Sequence, residues 1–177
     1  DFEAFATMPV VPFGQLYGGK VCAALDRQHP RDLFDVKHLL KNEGFSDEIK
    51  TGFLLALISS ERPIHELLDP HLLDQRSTLE NHFAGMSSEE FTYTHFEAAR
   101  TRLLETIHDR LTQIDRQFLL GVKRLEPIWD EYSFEHFPAV QWKLQNLQLL
   151  KSKNHEKYFD QYKALENVLN SPRKNGN

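Results

Sequence analysis

Gly18-Gly19-Lys20-Val21-Cys22-Ala23-Ala24-Leu25-Asp26-Arg27, followed after Gln28 by His29-Pro30-Arg31-Asp32-Leu33-Phe34-Asp35-Val36, reads as two consecutive helices. The first is expected over 13–27, entered after Pro12, with Leu16, Val21 and Leu25 as its core positions and Phe13 and Cys22 beside them. Its two mid-helix glycines cost roughly 1 kcal/mol each against alanine. Close approach of another backbone or of a ligand is the usual reason for such a cost. Gln28-His29-Pro30 breaks the helix. Proline suits the first turn of a second helix over 30–42, where Leu33, Val36 and Leu40 recur at helical spacing before Gly44.

Working outward, helical periodicity continues to the end of the chain. Ser46-Asp47-Glu48 is a capped start with acids in the first turn, followed by the apolar face Ile49, Phe53, Leu54, Leu57 and Ile58. Residues 61–75, interrupted by Pro63 and Pro70, read as short turns whose Leu67, Leu68, Leu72 and Leu73 close over the core. A weaker helix is expected over 77–83. Thr94 with Glu97 reads as the capping box of the longest helix, striped by Phe96, Ala99, Leu103, Ile107 and Leu111. A helix over 112–125 carries Ile114, Phe118, Leu119 and Val122 and stops before Pro127. The aromatic stretch 128–138 is expected to pin two last helices, 138–150 and 154–169, onto the same core.

Upstream, Val10-Val11 between Pro9 and Pro12 reads as a strand end with no strand to pair with. The expected architecture is therefore all-α. A bundle of about six to eight helices spans 13–169; residues 1–12 form the end of an upstream core, and 170–177 a polar, disordered tail. The net charge of −5 argues against broad adhesion to phosphate backbones but leaves room for a local basic pocket of Lys20, Arg27 and Arg31. A single cysteine excludes an intramolecular disulfide, and no apolar run reaches the ~20 residues of a membrane span. The expected location is cytoplasmic.

Lys20, Ala23, Ala24 and Arg27 stand at i, i+3, i+4 and i+7, so two cations flank two alanines on one helical face. That is the arrangement a triphosphate needs, with charge to the sides and no bulk between. A solvated basic face packed through its alanines has the same spacing, and both readings stay open. Arg31 and Asp35 stand at i and i+4, but an exposed pair there is worth only ~0.3–0.5 kcal/mol and does not account for the cluster. Asp32 suits a helix start. Equally, Asp32 and Asp35 beside a basic helix suit orienting its cations or accepting a proton from a substrate hydroxyl. His29 and Asp32 are not joined by the further His and Asp of a metal-dependent phosphohydrolase. The nine histidines lack zinc-ligand spacing, and no Walker, Rossmann or nucleophile-elbow loop occurs.

Taken together, Lys20 to Arg27 and Pro30 to Val36 resemble the later motifs of the AbiEii/AbiGii nucleotidyltransferase toxins of abortive-infection and toxin–antitoxin systems. The specific match covers residues 9–42, with Val10 to Leu16 as the last transferase strand leading into the lysine helix. The resemblance implies Lys20 and Arg27 as nucleotide-phosphate ligands, with Arg31 in the same run, and Asp35 and Asp32 as catalytic acids. It also implies Mg2+ and an NTP as cofactor and substrate, tRNA as acceptor, and an antitoxin as partner. The family's first motif, a Gly-Ser loop with paired aspartates for the metal, does not occur in this sequence, so the chain alone is expected to be inactive. A non-catalytic helical interaction module, binding through the faces of residues 94–169, is the alternative.

Overall fold

Two helices packed backbone to backbone set the frame. The computed structural model describes residues 11–83, 85–87 and 89–171. Helix α1 (Phe13–Arg27) crosses α3 (Asp47–Ser59), and glycine is what lets them meet. A methyl group on Gly18 would overlap the backbone of Gly52 and Phe53, and one on Gly52 would overlap the backbone of Gly14. Gly19, one residue from Gly18, has nothing near its missing Cβ. The adjacent glycines therefore do different work: Gly18 admits a helix, and Gly19 leaves open space outside it.

This crossing decides which face of α1 is buried. Gly14, Gly18, Val21, Cys22, Ala24 and Leu25 turn inward. Leu16 and Phe13, expected in or beside the core, are instead 48% and 42% exposed. Small residues form the packing face, so counting large apolar side chains picks the wrong ones. Ala24 is likewise buried and leaves the face on which the sequence places it with Lys20.

The chain leaves α1 through Gln28, whose left-handed φ of 49° ends the helix, and enters α2 (Pro30–Asn42) with His29 Nδ1 accepting from Arg31 N. Gly44, at φ 70°, closes α2 with its N–H donating to Leu39 O. Short α4 (Ile64–Leu68) and α5 (Arg76–His82) follow α3. Leu67 and Leu68 are fully buried, whereas Leu72 and Leu73, expected over the core, are exposed. They lie in a loop held instead by polar contacts. Buried Arg100 donates to Gln28 Oε1 and Leu73 O, and Gln28 Nε2 donates to His71 O.

Helix α6 (Tyr93–Arg110) is capped two residues earlier than expected, by Thr92 with His95 returning the contact in place of Thr94 with Glu97. Helix α7 (Gln113–Arg124) starts on a Thr112/Asp115 capping box. Asp115 is fully buried, accepting from Thr112 N and from Tyr132 OH, with Lys50 Nζ of α3 at 3.0 Å. The irregular aromatics wrap Phe118 through Trp129, Tyr132 and Phe134. They bring α8 (Pro138–Lys153) onto α3, and α9 (His155–Asn170) onto α4 and α7. Ile114, expected in the apolar face of α7, is exposed.

The architecture is all-α, with nine helices among the described residues; the five-residue α4, expected as a turn, is the one beyond eight. The strand end expected at Val10-Val11 falls partly outside the described residues; Val11 itself is in no strand and is exposed. The rest of 1–12 before Val11, and the tail after Ser171, lie outside them. No described helix is long and apolar enough to cross a membrane.

Candidate functional site

The outer side of α1, opposite the glycine contact, faces the first turns of α2 across a cleft of about 340 Å3. Gly19 and Ala23 form its floor, and Lys20, Arg27, Asp32 and Asp35 stand around it. The left-handed turn at Gln28 folds α2 back so that its acids meet the cations of α1. Arg27 is held by Asp32, with Nε to Oδ2 at 3.0 Å and Nη2 to Oδ1 at 3.1 Å. Lys20 Nζ lies 3.5 Å from Asp35 Oδ2.

The structure thus brings together four of the five residues singled out from sequence. Arg31 stands apart from the cleft, exposed on the first turn of α2, and the Arg31–Asp35 pair does not form because Asp35 turns to Lys20. Two charges of each sign leave the cluster formally neutral. The Lys20–Asp35 pair is half-exposed, where such a contact is worth at most ~1 kcal/mol, whereas Asp32 is mostly buried and holds Arg27 through two contacts. An incoming anion can therefore draw Lys20 from Asp35 at little cost, while Arg27 stays oriented by Asp32.

The Lys20–Asp35 pair is also a partition. On its far side lies a wider hollow of about 550 Å3, with Tyr17, Phe34, His38 and Glu43 on its walls. Tyr17 carries Lys20 Nζ 5.9 Å from its ring centroid. Sequence reasoning missed Tyr17, although its position three residues before Lys20 puts it on the same helical face.

A family model described as the nucleotidyl transferase AbiEii toxin, type IV toxin–antitoxin system, matches residues 1–146. The chain belongs to the AbiEii family. The AbiEii match takes in α1 to α7 and the first half of α8, and so includes the whole cleft. Comparison with curated proteins and with solved structures found no match.

AbiEii membership makes the Mg2+ implied by the sequence resemblance a question for the donor set. Among the described residues no group of three or more His, Cys, Asp and Glu side chains converges where an ion could sit. Asp32 and Asp35 already face a cation each. The described residues do not fit a magnesium site.

Proposed function

We propose that the outer face of α1 binds the triphosphate of an NTP, Lys20 and Arg27 holding its oxygens over the floor of Gly19 and Ala23. The observation that carries this is the cleft itself: two cations at its sides, no side-chain bulk between them, and each cation positioned by a carboxylate. Asp32, with two contacts to Arg27, sets the direction of the guanidinium. Asp35, half-exposed on the partition, is placed to accept a proton from a substrate hydroxyl. Arg31 adds an exposed cation beyond the cleft, suited to a more distant phosphate.

The reaction this serves is transfer of a nucleoside monophosphate from the NTP to an acceptor, with tRNA the acceptor that the family resemblance implies and an antitoxin the protein partner. Since the described residues hold no metal-binding carboxylate cluster, the 177-residue chain is expected to bind nucleotide without transferring it. Calorimetric NTP titration of Lys20→Ala and Arg27→Ala tests the reading. Each should bind about tenfold more weakly with unchanged circular dichroism, as loss of a charge-assisted hydrogen bond predicts. Wild-type affinity in both variants refutes it, and robust labelling of acceptor by this chain alone refutes the predicted inactivity.

One observation favours the interaction module as a second reading. Trp142 and Leu149, two turns apart on α8, are both exposed. Unchanged nucleotide binding in the α1 variants would leave that module as the function.

A further inference from the structure

Away from the cleft, α4, α7, α8 and α9 enclose a cavity of about 120 Å3 into which two buried lysines converge. Lys123 is 4% exposed and Lys143 7%. Neither has a carboxylate within ion-pair distance among the described residues. Lys143 Nζ donates to Ser60 O and Arg62 O, both at 2.6 Å, where the chain leaves α3. Lys123 Nζ donates to Gln161 Oε1 at 2.9 Å and lies 4.5 Å from the Tyr158 ring centroid. An ammonium carries three donors. Half of the donor positions of the pair thus have no acceptor among the described residues.

Buried cations without a counter-ion are costly, and their usual resolution is a paired anion or loss of the proton. Burial pushes both lysines down to about 8, and for Lys123 the proximity of Lys143 adds to the shift. The surrounding charges do not neutralise them. Glu61, exposed on the cavity lining, and Glu66 both favour the charged form of Lys143 without reaching ion-pair distance, and Glu66 is engaged by Arg62. Cys22 faces Lys143 as a neutral thiol, and burial holds His65 towards its neutral form.

We propose that this cavity is a binding site for a phosphate group, separate from the α1–α2 cleft. The charge balance selects phosphate: two adjacent ammoniums match a dianion, whereas a single carboxylate would leave one of them uncompensated. Asn146 and Gln161 line the same cavity and offer amide donors. The volume takes the phosphate and leaves any attached sugar at the mouth, so free phosphate and a phosphomonoester end share the same chemistry.

Inorganic phosphate, AMP and acetate, titrated while the lysine side chains are followed by NMR, test the proposal. Phosphate should raise the apparent pKa of Lys123 and Lys143 from about 8, because an anion stabilises the charged form. Lys123→Met should weaken phosphate binding at the cavity about tenfold, and Lys20→Ala, which alters only the separate cleft, should leave the phosphate-induced shifts of Lys123 and Lys143 as they are. Lys143→Met removes a contact to the end of α3, so the Lys123 variant carries the test if the other fails to fold. AMP binding like phosphate identifies a monoester end, and AMP exclusion identifies free phosphate; either supports the site. Lysine titrations unmoved by both ligands, wild-type affinity in Lys123→Met, loss of the effect in Lys20→Ala, or acetate binding equal to phosphate would each overturn it.

Discussion

Alanine substituted at Gly18 and at Gly19 should move stability in opposite directions, although the two residues are neighbours on one helix. Intrinsic helix propensity alone predicts that both gain, by about 0.8–1 kcal/mol. At Gly19 the added methyl meets nothing, so that gain should survive. At Gly18 the methyl would overlap the backbone of Gly52 and Phe53, atoms that no rotamer change can withdraw. Overpacking typically costs ~1–3 kcal/mol, and contact with main chain places this site at the upper end. Separating the helices would also loosen Val21, Leu25 and Phe53, all at most 1% exposed. Gly18→Ala should therefore lose about 2 kcal/mol net. In a chain of this size that lowers the thermal midpoint by ~4–8 °C, while Gly19→Ala raises it by ~2–3 °C. Urea unfolding followed by circular dichroism, with m-values compared, supplies the assay. A Gly18→Ala protein as stable as wild type would refute the account of the α1–α3 contact. Gly19→Ala should at the same time weaken NTP binding, because its methyl intrudes on the cleft floor.

Asp115→Asn should destabilise by about 3 kcal/mol, the low end for breaking a buried pair, since Asp47 lies 3.8 Å from Lys50 and keeps part of the attraction. Burial alone would raise the Asp115 pKa, but hydrogen bonds from Tyr132, Thr112 and Lys50 outweigh it and hold it below the usual carboxylate range. Its contribution is thus complete above about pH 4 and is lost as pH falls through the lowered folded pKa; a wild-type minus Asp115→Asn difference that grows on acidification would contradict this. Cys22, pushed up to about 12 chiefly by burial, should react with a thiol reagent only as fast as the protein unfolds, and rapid labelling under native conditions would disprove that. Arg100→Met should cost ~1–3 kcal/mol by taking the donor from Leu73 O and leaving Gln28 Oε1 with Leu73 N alone, measured by the same urea titration; a neutral result would mean that the loop over 71–73 is held by other means.

Punctuation made the helices legible. Pro12, the Gln28-His29-Pro30 break and Gly44 mark α1 and α2 at the bounds the structure shows, because proline and left-handed positions act locally, independent of packing. What failed depended on partners elsewhere in the chain. Leu16 and Phe13 carry the apolar bulk of core residues, whereas the buried face is set by Gly14, Gly18 and Gly52 meeting across two helices. The Arg31–Asp35 spacing is favourable by only tenths of a kcal/mol, so the interhelical partner Lys20 displaced it. The His95 return contact at the α6 cap escaped notice because glutamate or glutamine usually fills that position. The four residues of the cleft were legible because all lie within sixteen positions of one another on two adjoining helices. The lysine cavity was not, since four separated helices build it.

The two sides of α1 also set how such a toxin is lost. Substitutions at Lys20, Arg27 or Asp35 alter half-exposed side chains and leave the glycine contact intact. On the proposed reading, in which the outer face serves the whole toxin's activity, survivors altered there should therefore accumulate as folded protein, open to partner binding. Survivors arising at Gly18 or Gly52 should instead lose the protein to degradation. Cellular abundance alone would then sort disarmed chains from missing ones.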